Sequence, residues 1–428
     1  MRRAEALSAR TVITLSLLIG CAAAFAWYAS SAATRLQRNT APLPALLAPS
    51  SDPERFRNEI KSVEDLLPRL VDRGPALFLL AHDYARLGER KKALELLKQC
   101  VALMEGFDPT GDEVFAPLHS DPEFHGVVES VRRQNPAIHR AHLAFTIAQK
   151  DLFPEGLAVD ASSHVFYMGS EYHNKIVRIS ESGEVTDFVK EGTYDLMPVG
   201  GVHVDPTDHS VWCATDPGKK NRSEIVHFDA QGKLLERYAP SSAGPHDLND
   251  LVLRGRSEIY VTDTEGNHVF RFDRETHRFS ELNLGRPVFG PNGITVSDGG
   301  TLLYVGDDLG VIRMDLRTGA AQDVKPAAHD TMAGTDGLYW YHGGLVGVEY
   351  GTGAYRVMYW KLSPNGLEVK SSETLERGTD MVRDPTTGAI MNGKFYFMVN
   401  TGIDNLDNGN ISDPRRLEPL YIAVLPLR

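Results

Sequence analysis

The sequence predicts a mainly β fold: a six-bladed β-propeller preceded by a small α-helical module and an N-terminal membrane segment. Three observations predict it. Short β-branched strands between Gly/Asp/Asn turns recur with starts at 156, 201, 249, 292 and 336, and a weaker copy begins at 388. Residues 54–105 instead carry apolar side chains at helical spacing. Between Arg10 and Arg35 the chain has no charged residue. The boundaries that follow are 1–35 for the signal anchor or signal peptide, 36–53 for a linker, 54–137 for the helical module and 138–428 for the propeller.

The apolar run from Thr11 to Ala33 is long enough to span a bilayer, which takes about 20 residues as a helix. Three readings stand side by side. It is an uncleaved signal anchor, a signal peptide cut after Ala24-Phe25-Ala26, or a lipoprotein signal ending at Leu18-Ile19-Gly20-Cys21. Each sends the bulk of the protein out of the cytoplasm, to the periplasmic or extracellular side. Arg2, Arg3 and Arg10 precede the run and agree with an inside N-terminus. Pro42, Pro44, Pro49 and Pro53 then mark a stiff, extended linker.

Ile60, Val63, Leu66, Leu67 and Leu70 repeat at helical spacing. Two further helices are expected over 75–87 and 90–104, divided at Leu87-Gly88. Leu80, Ala81, Tyr84, Gly88, Ala93 and Leu97 match the spacing of a single tetratricopeptide repeat, with Cys100 where Ala is preferred. One such repeat cannot bury its own face, so it is expected to pack on its neighbours. The region offers either a surface for a protein partner or a helical prop for the main domain. A last helix is expected at Asp121-Pro122, with Asp as cap and Pro in the first turn.

The first four spacings between the repeated units are 45, 48, 43 and 44 residues. A period of about 40–50 residues with several strands per unit is the mark of a propeller blade. The strand His142–Ile147 lies before the first unit and Leu420–Leu425 lies at the end of the chain. Pairing the two closes the ring and removes its free edge.

A net charge of −12 argues against nucleic acid, which needs a basic footprint. The three cysteines, Cys21, Cys100 and Cys213, define no disulfide framework. In a propeller the first strand of each blade lines the central channel, so residues just before it converge at one mouth. Those positions here are Glu155, Gly200, Asn249, Asn292 and Asp336. Asn and Asp before Gly are ordinary turn residues. A Glu at 155 has no such excuse, and the positions repeat in phase. Two carboxylates and two amides suit a hard divalent cation, with Ca²⁺ favoured and Mg²⁺, Mn²⁺ and Zn²⁺ as alternatives.

The segments PEGLAVD, LNDLVL with IYVTDT, PNGITVSDGGTLLYVGD and TDGLYW carry a resemblance. From about residue 141 to 428 the chain resembles the senescence marker protein/gluconolactonase/luciferin-regenerating enzyme superfamily. It resembles paraoxonases and strictosidine-synthase-like proteins more distantly. The resemblance implies a cation at the channel mouth, held by Glu155, Asn249, Asn292 and Asp336, the same four that the phase selects. It implies hydrolysis of a lactone or related ester, with Asp336 as ligand and general base. Paraoxonases place a His near the metal, whereas the second blade here opens Pro198-Val-Gly-Gly201. His203 and His246 are the nearby histidines, and His246 is the second catalytic candidate. The rival expectation is a non-catalytic propeller scaffold or ligand-binding protein that uses the helical module for protein contacts.

Overall fold

A computed structural model describes residues 53–428 except 219–220, 243, 351–354 and 408. The apolar run Thr11–Ala33 and nearly all of the Pro-rich linker lie outside the described residues. Among the described residues no helix is long and apolar enough to cross a membrane.

Six four-stranded antiparallel sheets make the propeller, five built from the repeated units and the sixth completed by the two end strands. The first blade is β2 (Leu157–Asp160), β3 (Val165–Ser170), β4 (Lys175–Ile179) and β5 (Val185–Val189). The second is β6 (Val199–Val204), β7 (Val211–Thr215), β8 (Ile225–Phe228) and β9 (Leu234–Tyr238). The third is β10 (Leu248–Arg254), β11 (Glu258–Asp263), β12 (His268–Asp273) and β13 (Arg278–Glu281). The fourth is β14 (Ile294–Val296), β15 (Leu302–Asp307), β16 (Gly310–Asp315) and β17 (Ala321–Asp323). The fifth is β18 (Thr335–Tyr341), β19 (Gly344–Glu349), β20 (Arg356–Leu362) and β21 (Val369–Arg377). The sixth joins β22 (Gly388–Met391) and β23 (Lys394–Met398) to β24 (Leu420–Pro426) and β1 (His142–Ile147). The expected pairing of the two end strands is present, with Phe145 opposite Ile422 and Ile147 opposite Leu420.

The first strands touch in cyclic order, β2 to β6, β10, β14, β18, β22 and back to β2. Six apolar clusters fill the six interfaces between blades. The period-2 alternation of a strand feeds two of them at once. On β18, Leu338 and Trp340 pack toward the fourth blade and Tyr339 and Tyr341 toward the sixth. Close approach at the axis requires glycine. A Cβ on Gly156 would lie 2.3 Å from the Gly200 carbonyl oxygen, and one on Gly293 would lie 2.3 Å from that of Asp336.

Helices precede the blades: α1 (Pro53–Leu66), α2 (Gly74–Arg86), α3 (Arg90–Leu103) and α4 (Pro122–Gln134). α1 buries Phe56, Ile60, Val63 and Leu66, one stripe at helical spacing. Gly88, at φ +76°, turns the chain between α2 and α3. Asp121 caps α4 by accepting the Glu123 N–H at 2.8 Å. The helical core continues onto the propeller through Phe289, Leu309 and Ala333. Phe289 and Ala333 each stand three residues before a blade opening, so the helices rest on the face where the inner strands begin.

Within this helical core Asp83 is fully buried, and neither carboxyl oxygen has a hydrogen-bond partner. Burial pushes its pKa up to about 7, against Arg86 and Arg55. Glu59 is raised to about 7 by burial and then by Asp83. The folded chain therefore holds a proton on Asp83 that the unfolded chain releases near pH 4. Folding stability is greatest below that range and falls as pH rises through about 7. Asp83→Asn is expected to stabilise the protein at pH 8 by about 1–3 kcal/mol and to change it little at pH 4. Urea unfolding at both pH values measures this, and equal destabilisation at both would contradict it.

Candidate metal centre

Each blade presents one residue just before its inner strand turns inward: Glu155, Gly200, Asn249, Asn292, Asp336 and Thr387. The six form a closed ring of neighbours. The Asn249 amide nitrogen donates to Glu155 Oε1 at 2.9 Å, across the second blade. A Cβ on Gly200 would meet the Asn249 carbonyl oxygen at 3.2 Å. Asn292 stands beside the Asp336 carboxyl and lowers its pKa. A Cβ on Gly337 would lie 3.1 Å from the Thr387 Cα, and the Thr387 hydroxyl donates to the Glu155 carbonyl at 2.5 Å. The structure thus brings together Glu155, Asn249, Asn292 and Asp336. Thr387 completes the ring; the weak sixth repeat concealed it.

A second ring of positions lies just outside the first. The residue after the second strand of each of the first five blades, and Thr401 three residues past it in the sixth, donates its backbone N–H to the loop ahead of that blade's opening. The pairs are Glu171 to Phe153, Asp216 to Pro198, Thr264 to Asp247, Asp308 to Phe289, Tyr350 to Gly334 and Thr401 to Asp384, at 2.9–3.2 Å. One carboxylate oxygen from each of Glu155, Glu171 and Asp216 lies within 4.8 Å of the others. Asp216 fills the gap that Gly200 leaves: a Cβ on Gly200 would be 3.5 Å from both Asp216 Oδ1 and Glu155 Oε2. Reading the blade openings alone missed Glu171, Asp216 and Asp247. The signal for the first two was the acidic residue just after the second strand of its blade, in YMGSE and WCATD.

The residues before this second ring pin the loops. Arg286 makes a bidentate pair with Asp307, at 2.5 and 2.9 Å. In the third blade Asp263 holds the same position and accepts His246 Nδ1 at 2.5 Å. His246 Nε2 lies 3.1 Å from the Ser242 hydroxyl, and its ring packs on Phe270. Both ring nitrogens are thus engaged away from Glu155, Asn249, Asn292 and Asp336, in the loop-holding role that Arg286 has one blade on. His203, on β6, has its pKa lowered to about 4 by burial.

The ring is electrostatically strained. Burial and then Glu155, Asp250 and Asp384 hold the Asp336 carboxyl well above the usual range, with Asn292 opposing them. Glu155 is raised by burial against hydrogen bonds from Glu171 and Asn249. Burial raises Glu171 and Asp216 strongly, and neighbouring acids add to it. Asp247 is pushed up to about 7 by burial and then by Glu155, and Asp250 to about 7, chiefly by burial.

A divalent cation fits these residues. The donors are all oxygens, as a hard cation prefers. Asn292 Oδ1 and Asp336 Oδ1 are buried without any hydrogen-bond partner, and Asp336 is only 8% exposed. A buried polar atom left unpaired costs about 1–3 kcal/mol, which a bound cation would remove. The amide nitrogen of Asn249 is already engaged by Glu155, which turns its oxygen free for coordination.

No protein-family model matches the chain. No curated protein matches it either. Solved structures with a similar fold include a gluconolactonase, XC5397 from Xanthomonas campestris, at 15% identity and a TM-score of 0.49, covering 69% of this chain and 97% of that one. Mala s 1, an allergen of Malassezia sympodialis, is similar at 16% identity and a TM-score of 0.48, covering 65% and 95%. A streptogramin B lyase is similar at 18% identity and a TM-score of 0.46, covering 61% and 82%. A shared fold fixes no activity.

Proposed function

We propose that the protein is a metal-dependent hydrolase of lactones or related esters, of the gluconolactonase type. The observation that carries the reading is the convergence of Glu155, Asn249, Asn292 and Asp336 with two buried, unpaired oxygens among them. These four residues would hold a divalent cation, Ca²⁺ before Mg²⁺, Mn²⁺ or Zn²⁺. When bound, the cation supplies a Lewis acid that polarises a carbonyl oxygen and favours the oxyanion formed on attack. Asn249 fixes Glu155 through its amide nitrogen, and Asn292 stands beside Asp336. Asp336 has one oxygen with no partner, able to orient an attacking water and take its proton. His246 supports this site through the loop that carries Asn249. The reading keeps Thr11–Ala33 as an export signal or membrane anchor and the tetratricopeptide-like helices as a surface for a protein partner.

The second reading is a ligand-binding or scaffold propeller. The docking of the helices on the site-bearing face favours it, since that face then carries two recognition surfaces. Purified protein incubated with a panel of lactones and aryl esters, with and without chelator, separates the two. Turnover that chelator abolishes and added Ca²⁺ or Mn²⁺ restores is the expected result. A tightly held cation with no turnover of any substrate would favour the scaffold.

A further inference from the structure

We propose a second divalent-cation site beside the first, formed by Glu171, Asp216 and Asp247 and sharing Glu155 with it; this rests on the cation reading above. Four observations lead there. Glu155 faces both ways. Its Oε1 accepts the Asn249 amide at 2.9 Å, while its Oε2 lies toward Asp216, both of them 3.5 Å from the Cβ position of Gly200. The absence of a side chain at Gly200 opens the space into which both carboxylates reach. Oxygens of Glu155, Glu171 and Asp216 lie within 4.8 Å of one another, close enough to ligate one ion.

The fourth observation is independent of the cluster. Asp247 stands within side-chain hydrogen-bond reach of Asp216, yet its Oδ1 is cut off from solvent and has no partner of any kind. It is a buried acceptor at the edge of the cluster with nothing to accept from. Glu155 with Glu171, and Asp216 with Asp247, are like groups in contact, an arrangement that a shared proton or a bound cation relieves. Among the described residues, no Lys, Arg or His is a leading influence on Glu155, Glu171 or Asp216. Five carboxylates meet here when Asp336 is included, so one divalent ion leaves three negative charges uncompensated and two ions leave one.

The backbone is built to hold this second position. The Glu171 N–H donates to Phe153 O at 3.2 Å, and the Asp216 N–H donates to Pro198 O at 3.0 Å. Each acid is therefore fixed two residues from a blade opening, Glu155 or Gly200. Glu171 and Asp216 come from the outer ring of the first two blades and Asp247 from the loop before the third, whereas the ligands of the first site come from the inner ring. The two sites can be separated by mutation.

The test is Ca²⁺ binding to full-length protein stripped of metal, by calorimetry and by metal analysis after desalting, with Mn²⁺ as a parallel probe. Two ions per chain are expected. Asp216→Asn and Glu171→Gln should each lower the count to one, while Asp336→Asn should remove the other ion. Thermal unfolding of the metal-free variants checks that they fold, and Asp216→Asn should not lower their Tm because it removes repulsion. One ion per chain, lost in Asp336→Asn and kept at unchanged affinity in Asp216→Asn and Glu171→Gln, would overturn the second site and leave the first standing. No ion bound to the wild type would overturn both.

Discussion

Asp336→Asn is expected to weaken cation binding by at least about 100-fold and to lower turnover of a responsive lactone by about 10²–10³-fold. Even outer partners of metal ligands are worth about 10–100-fold in affinity, and a direct carboxylate contributes more. The substitution keeps the shape of the side chain but removes the charge and the proton acceptor together. Asn292→Ala should weaken the cation as well while leaving a carboxylate at 336. Comparing kcat with cation affinity in the two variants separates the roles. If Asp336 is only a ligand, excess cation restores kcat in both. If it is also the base, excess cation restores kcat in Asn292→Ala alone. Unchanged metal binding in both variants would remove the site assignment.

Arg356→Met is expected to destabilise the protein by about 3–5 kcal/mol at pH 8. Arg356 is 5% exposed and is the cation at the junction of helices and propeller. It donates to both oxygens of Glu349, to the Thr331 carbonyl at 3.1 Å and to Asp330 at 3.2 Å. Asp72 and Glu105, from the helical side, act on the same cluster. Burial raises Glu349 and Glu105 to about 8 and Asp72 to about 6. Removing the guanidinium leaves Glu349 buried without its partner and takes a positive charge from beside Glu105. Protonation relieves that penalty, so the loss should shrink toward pH 5. Chemical unfolding at the two pH values measures it. A loss that does not vary with pH would assign the effect to packing instead.

Much of the architecture was legible because a propeller repeats. The spacing of the openings and the alternation of apolar residues along each strand are local properties, and they located the inner strands. The pairing of His142–Ile147 with Leu420–Pro426 followed from the need to close the ring. The same phase placed Asn249, Asn292 and Asp336 at equivalent points, where symmetry brings them together whatever the details of packing. His246 shows the limit of sequence proximity. It stands three residues before Asn249, but the loop turns its ring outward to Asp263 and Ser242.

Gly200 shows the limit most clearly. Read along the chain, it is a blade opening without a ligand. In the fold its missing side chain is the space that Asp216 and Glu155 enter. Local sequence determined the number of blades, the order of their strands and the inner ring of oxygens, because each depends on periodicity within one repeat. The tertiary fold decided which acids join that ring and which face the helices cover. Those contacts run between blades, where the packing of neighbouring backbones, rather than any spacing in the chain, sets which side chains meet.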